Sequence, residues 1–238
     1  MREMVDYIKK LKDLIFHPTT FFNNVEKETE IMPILLFYAV ITIILGLVGT
    51  LIALPITIKA GTVIPEFTGL GIGMIIFLEL FVGMIMIAAF AFIGPFIASA
   101  IAHVGVWMVK GKQGFFNTFK PVTYAMVIAA VYQFVSTIIS TIMELINPTY
   151  TAITLGIAEV PSLGSIITPT FIVAIIIGII SFIHVLFVEI IGVAKFQNIS
   201  RGRAFMAVFV IPLLLVIAVI IIFALIIGLF VGLFALVV

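Results

Sequence analysis

The 238-residue chain is 64% hydrophobic and only 10% charged, with a mean hydropathy of +1.43. That leaves too little polar surface to coat a water-soluble globule and places the chain among polytopic membrane proteins. A net charge of +1 with scattered cations gives no basic face for nucleic acid, and zero cysteines exclude disulfides, thiolate metal sites and a cysteine nucleophile.

The first thirty residues mix both charge signs ahead of the first apolar run, unlike a cleavable signal peptide. Met4, Ile8, Leu11 and Ile15 recur at helical spacing, with Lys9, Lys10, Lys12 and Asp13 elsewhere round the helix. The pattern predicts an amphipathic helix, lying either on the bilayer surface or on the protein's own loops. Pro18 suits the first turn of a second short helix carrying Phe21 and Phe22, and Glu26, Glu28 and Glu30 close a head spanning residues 1–30.

The membrane part, residues 31–238, divides into five predicted spans. The first covers residues 33–54, bounded by Pro33 and Pro55, with Gly46 and Gly49 marking close packing. Lys59, Pro65 and Glu66 lie in the far-side loop, and the Gly69, Gly71, Gly73 run has no strand before it to make a dinucleotide loop. Residues 70–109 are too long for one straight crossing and too short for two, so one crossing with a bend at Gly94-Pro95 is expected. A basic loop with Lys110, Lys112 and Lys120 precedes a third span, 121–145, opened by Pro121. Asn147-Pro148 starts a long external loop without a cation. The fourth span is 169–194 and a second basic loop runs from Lys195 to Arg203. Pro212 is expected to separate an interfacial lead-in from a final span, 212–238, whose Ala224, Gly228 and Gly232 form a small-residue stripe suited to oligomer packing.

With five crossings, Arg2, Lys9, Lys10, Lys12, Lys27, Lys110, Lys112, Lys120, Lys195, Arg201 and Arg203 share one side and Lys59 alone takes the other. By the positive-inside rule the N-terminus is cytoplasmic and the C-terminus external. The fold expected is all-α, with five transmembrane helices and an N-terminal amphipathic segment.

Pro18 with Phe21 and Phe22; Gly111, Gly114, Phe116, Tyr124 and Ala125; and Ser200, Arg203, Ala204 and Pro212 together carry a family likeness. In these residues the chain resembles the Yip/YIF family, Ypt- and Rab-interacting membrane proteins that share the Yip-one domain. Lys112 stands where that family usually has a second glycine, and no proline follows Tyr124-Ala125. The resemblance implies a non-enzymatic membrane protein acting in membrane organisation or trafficking, with a small GTPase as a cytosolic partner.

Ionisable groups at membrane depth cost about 2.5 to 3.5 kcal/mol on insertion scales, so Glu79, His103, His184 and Glu189 require a reason, as does the amide of Gln133. Three readings are open. They are packing groups that hydrogen-bond neighbouring helices; or Glu79, His103, His184 and Glu189 serve a small permease or ion-coupled carrier; or His103, His184 and Glu189 form a two-His, one-carboxylate set for zinc in a metal-binding protein or metalloenzyme. No His-Glu-x-x-His, Gly-x-Ser-x-Gly or P-loop pattern accompanies them, and no cofactor is otherwise implied. The remaining surface expected to meet anionic lipid or a partner is Lys9, Lys10, Lys12, Lys110, Lys112, Lys120, Lys195, Arg201 and Arg203.

Overall fold

The computed structural model describes residues 2–63, 71–146 and 169–235. The two expected far-side loops fall largely outside these residues, as does the end of the chain. In order the elements are α1 (Arg2–Phe16), α2 (Pro18–Asn24), α3 (Ile31–Val63), α4 (Gly71–Met108), α5 (Phe116–Ile146), α6 (Pro169–Phe196), α7 (Arg201–Phe205), a π-helical turn (Met206–Val210) and α8 (Ile211–Ala235). Five of the described helical segments are long and apolar enough to cross a membrane. The protein is an all-helical, multi-span membrane protein.

Prolines explain several helix starts. Pro18 and Pro169 each occupy the first helical turn, where an N–H has no intrahelical partner to lose. Other prolines lie inside helices rather than at their ends. α3 continues through Pro55 to Val63, α4 is continuous through Pro95, and α5 begins at Phe116, ahead of Pro121. In hydrocarbon an interrupted helix strands more backbone groups than the single bond a proline removes, so continuation wins. At Pro212 the expected interruption takes another form: the turn just before it is wound as a π-helix, and the chain then proceeds into α8.

The buried side chains gather at one end of the bundle. Most lie on α1 and α2, the first turns of α3 and α5, the last turns of α4 and α6, and the chain from Ala204 to Ile211, while Ala91 of α4, Thr141 and Glu144 of α5 and Thr170 of α6 are buried farther away. Beyond this basic end, most large apolar side chains of the spans are exposed, as suits helices facing lipid. The N-terminal head belongs to the same core: Leu14, Phe21, Phe22 and Val25 cluster with Ile34, Phe37, Tyr124, Ile128 and Val188.

The face of α1 that packs inward is made by Tyr7, Lys10, Leu11, Leu14 and Ile15. Of the expected Met4-Ile8-Leu11-Ile15 stripe, Leu11 and Ile15 pack inward beside the fully buried Leu14, Ile8 is 64% exposed, and the side chain of Met4 lies outside the described residues. Of the two settings open for this helix, the structure takes packing on the protein itself.

Two glycines set helix approach. A side chain at Gly105 in α4 would collide with the backbone of Ala207 in the π-helical turn, and one at Gly192 in α6 would collide with Pro121 and Phe22. Each of the helices that return to the basic end thus receives, on a glycine, the start of the outgoing helix of the other hairpin. α4 and α6 also stop alike. Lys110 (φ 66°) and Asn198 (φ 53°) are left-handed, and the amides of Gly111 and Ile199 donate back to Val106 and Ala194 at 2.8 and 3.0 Å.

Candidate functional site at the basic end

Lys120 is the centre of the arrangement. Its side chain is fully buried, although sequence places it in a loop facing lipid headgroups. Its Nζ donates to the carbonyls of Val25 (3.2 Å), Glu26 (3.3 Å) and Glu28, using all three ammonium protons on the carbonyls that follow α2. The rings of Phe196 and Phe116, with centroids 4.5 and 5.1 Å away, complete its surroundings. A cation this deep is tolerable because carbonyl dipoles and ring faces replace its water.

Around it, Glu28 joins the head to α5. Its Oε2 accepts from Tyr124 Oη at 2.5 Å and its Oε1 pairs with Lys10 Nζ at 2.8 Å. Lys10 lies over the rings of both Phe37 and Tyr124, each 5.0 Å from the ammonium. Lys195 donates to Asn23 Oδ1 (2.5 Å) and pairs with Glu26 Oε2 (3.2 Å). Phe21 sits edge-on to Tyr124 with centroids 4.8 Å apart, and Phe22 edge-on to Phe196 at 5.8 Å. Lys10, Lys120 and Lys195, expected as membrane- or partner-facing cations, are thus bound internally by the head. Lys9, Lys12, Lys110, Lys112, Arg201 and Arg203 are exposed.

A second polar knot, absent from the sequence reading, ties the two basic loops together. Gln197 is buried; its Nε2 donates to Gly114 O and Thr118 Oγ1, both at 2.9 Å, and its Oε1 accepts from the Gln113 amide at 3.1 Å. Thr118 Oγ1, which accepts from Gln197, also lies 2.8 Å from His103 Nδ1, so the same hydroxyl joins His103 to the knot. The signal available in sequence was only a polar residue at a helix end, which loops supply routinely.

The intramembrane polar groups do not converge. His184 Nε2 lies 3.1 Å from the carbonyl of Ile15, which can only accept, so Nε2 carries the proton and Nδ1 accepts from Tyr132 Oη at 3.1 Å. His184 therefore fixes the end of α1 to α5 and α6, whereas His103 faces Thr118 and the Phe115 ring. Glu189 is half-buried on α6 and makes no hydrogen bond or ion pair among the described residues. The side chain of Glu79 lies outside the described residues. Among the described residues no three His, Asp or Glu side chains could hold a metal ion, so the His103, His184, Glu189 set is not assembled. His103 does not pair with Glu189; its Nδ1 lies against Thr118 within the loop cluster.

A family model described as the Yip1 domain matches residues 12–224. The chain belongs to the Yip1 domain family. The match runs from the end of α1 through α2 and the first four spans into α8, and no curated protein or solved structure matches the chain.

Within this Yip1 domain, the residues carrying the resemblance have distinct physical tasks. Gly111 is pressed against Val106, where a side chain would collide, and Gly114 has φ 79°. Phe116 lies against the Lys120 ammonium, Tyr124 holds Glu28, and Ala125 is buried beside them. Ser200 caps α7, its side chain accepting from the Arg203 amide. The glycines and the Tyr-Ala pair thus build the seat for the head and the loops around it.

Proposed function

We propose that this Yip1 domain protein is a non-enzymatic membrane scaffold whose basic end lies in the cytoplasm and serves as a docking face in membrane organisation or trafficking. The observation that carries the reading is the division of the cations. Lys10, Lys120 and Lys195 are consumed in seating the head, while Lys9, Lys12, Lys110, Lys112, Arg201 and Arg203 remain exposed around the same end. Such a surface attracts the anionic leaflet at about 1 kcal/mol per cation and steers an acidic partner. A small GTPase is the partner that family membership supports.

The test uses full-length protein in vesicles with the basic end outward. Small GTPases from the same cell, loaded with a non-hydrolysable GTP analogue, are co-floated with vesicles carrying wild type or the Lys112→Glu, Arg201→Glu, Arg203→Glu variant. The proposal expects binding to fall about tenfold or more on charge reversal. Equal flotation with both would contradict it.

A further inference from the structure

The head lies along a flank of the bundle, and α5 measures how far down it reaches. Near the start of α5, Lys120 holds the carbonyls that follow α2, and Lys10 lies over Tyr124. Deeper, the carbonyl of Ile15 at the end of α1 accepts from His184, which accepts from Tyr132. The tip of the head is therefore level with Tyr132, about 21 Å farther along α5 than Thr118 at ~1.5 Å rise per residue. Its outward surface is polar: Lys9, Lys12, His17, Thr19 and Thr20 are exposed.

The flank made by α4 and α7 shows the reverse. It packs on α5 and α6 through Ala102, Val106, Ala204 and Ala207, with no residue of the head. His103 meets Thr118, at the level of the basic end, yet Ile101, Val104 and Trp107 around it are exposed, Trp107 by 74%. Gly105 receives Ala207, which puts the exposed Phe205 and Met206 at the same level. Apolar surface on this flank continues to the basic end, where Trp107 stands as an interfacial ring.

No single flat boundary serves both flanks. One at the level of Thr118 puts Lys12, His17 and Thr20 in hydrocarbon, and one at the level of Tyr132 leaves Ile101, Val104, Trp107 and Phe205 in water. A rigid tilt does not reconcile them. The usual ~20° across a bundle about 20 Å wide moves one flank by about 7 Å, a third of the separation.

We infer that the outer face of the head is covered by phospholipid headgroups of the basic-end leaflet, which descend along it to the level of Tyr132 and thin that leaflet on this flank alone. From there α5 offers about 21 Å of apolar length to Ile146, whereas Phe205 to Ile227 offers about 33 Å, against the ~30 Å of an unperturbed hydrocarbon core. Ile8, Lys12 and Phe16, four apart and exposed on α1, supply the mixed apolar and cationic edge of an interfacial helix. The thinning holds with or without a docking partner at the basic end.

Nitroxide accessibility on the full chain in phosphatidylcholine vesicles, basic end outward, tests it. The chain has no cysteine, so single labels go to His17→Cys and Thr20→Cys on the head and to Ile101→Cys and Val104→Cys on α4, all exposed positions. Collisions with a water-soluble nickel chelate, relative to molecular oxygen, should be about tenfold or more higher at residues 17 and 20 than at 101 and 104, the reverse of their order of depth along α5. Equal ratios, or higher ratios at 101 and 104, would overturn the inference. So would low collision rates with both reagents at residues 17 and 20, which would mean that a second copy or another protein covers the head. Trp107, the single tryptophan, gives a reading on the unmodified protein. It should be quenched by phosphatidylcholine brominated on its chains; quenching by iodide alone would place the α4 flank in water and overturn the inference too.

Discussion

The phenolic oxygen of Tyr124 lies 2.5 Å from Oε2 of Glu28, a residue 96 positions earlier in the chain. This contact joins the head to the first turns of a membrane helix, and the same carboxylate pairs with Lys10 of α1. Tyr124→Phe should destabilise the protein by about 1.5–3 kcal/mol, the usual worth of a hydrogen bond to a charged group. A double-mutant cycle with Glu28→Gln, followed by unfolding in detergent micelles, should return a coupling energy of comparable size. Additive effects would mean that the two groups do not meet.

Lys120 should be harder to replace than any exposed cation. Lys120→Met removes the donor to three carbonyls and should cost at least about 3 kcal/mol through unsatisfied buried groups. Lys120→Arg should not rescue it, because a planar fork cannot aim three protons as an ammonium does. Limited proteolysis within residues 17–30 is the readout: both variants should be cut faster than Lys112→Met, whose lysine is exposed.

Glycines should sort by what faces them. Gly105→Ala would place a methyl group against the Ala207 backbone and should cost about 1–3 kcal/mol or prevent folding. Gly192→Ala should behave similarly, displacing Phe22 from Pro121. Gly178 has nothing within reach of an added methyl, so Gly178→Ala should be neutral or gain up to about 1 kcal/mol of helix propensity. Thermal unfolding of the three variants in parallel measures the contrast.

Gln197→Leu should release the two basic loops from each other. It strands the Gly114 carbonyl and the Gln113 amide, at a cost of about 1–3 kcal/mol. Hydrogen exchange should quicken at the Gln113 amide while the amides within α5 stay protected.

The spans and the common placement of cations were legible because they depend on local composition: long apolar runs, short basic loops and prolines. The basic-end core was not. A lysine between two spans has the same sequence signature whether it reaches headgroups, like Lys112, or three backbone carbonyls, like Lys120. Partners 79 to 169 residues apart, such as Gln197 with Thr118 or His184 with Ile15, leave no periodic trace. Paired aromatics at residues 21 and 22 read equally well as interfacial anchors or as core; they are core because Gly192 leaves room for Phe22. On α1, Leu11 and Ile15 face inward as their spacing implies, but Tyr7 and Lys10 went unseen because an amphipathic ring and a cation over rings do not count as apolar in a periodicity reading.

Since the chain has no cysteine, single cysteines test the seating of the head without background. Val25→Cys, a nearly isosteric change at a buried position, is compared with Asn24→Cys and Lys27→Cys at exposed ones, using a membrane-impermeant maleimide on protein in vesicles with the basic end outward. A head folded into the core predicts rapid labelling at residues 24 and 27 and protection at residue 25 that Lys120→Met abolishes. Equal labelling rates at all three positions in the wild-type background would contradict it.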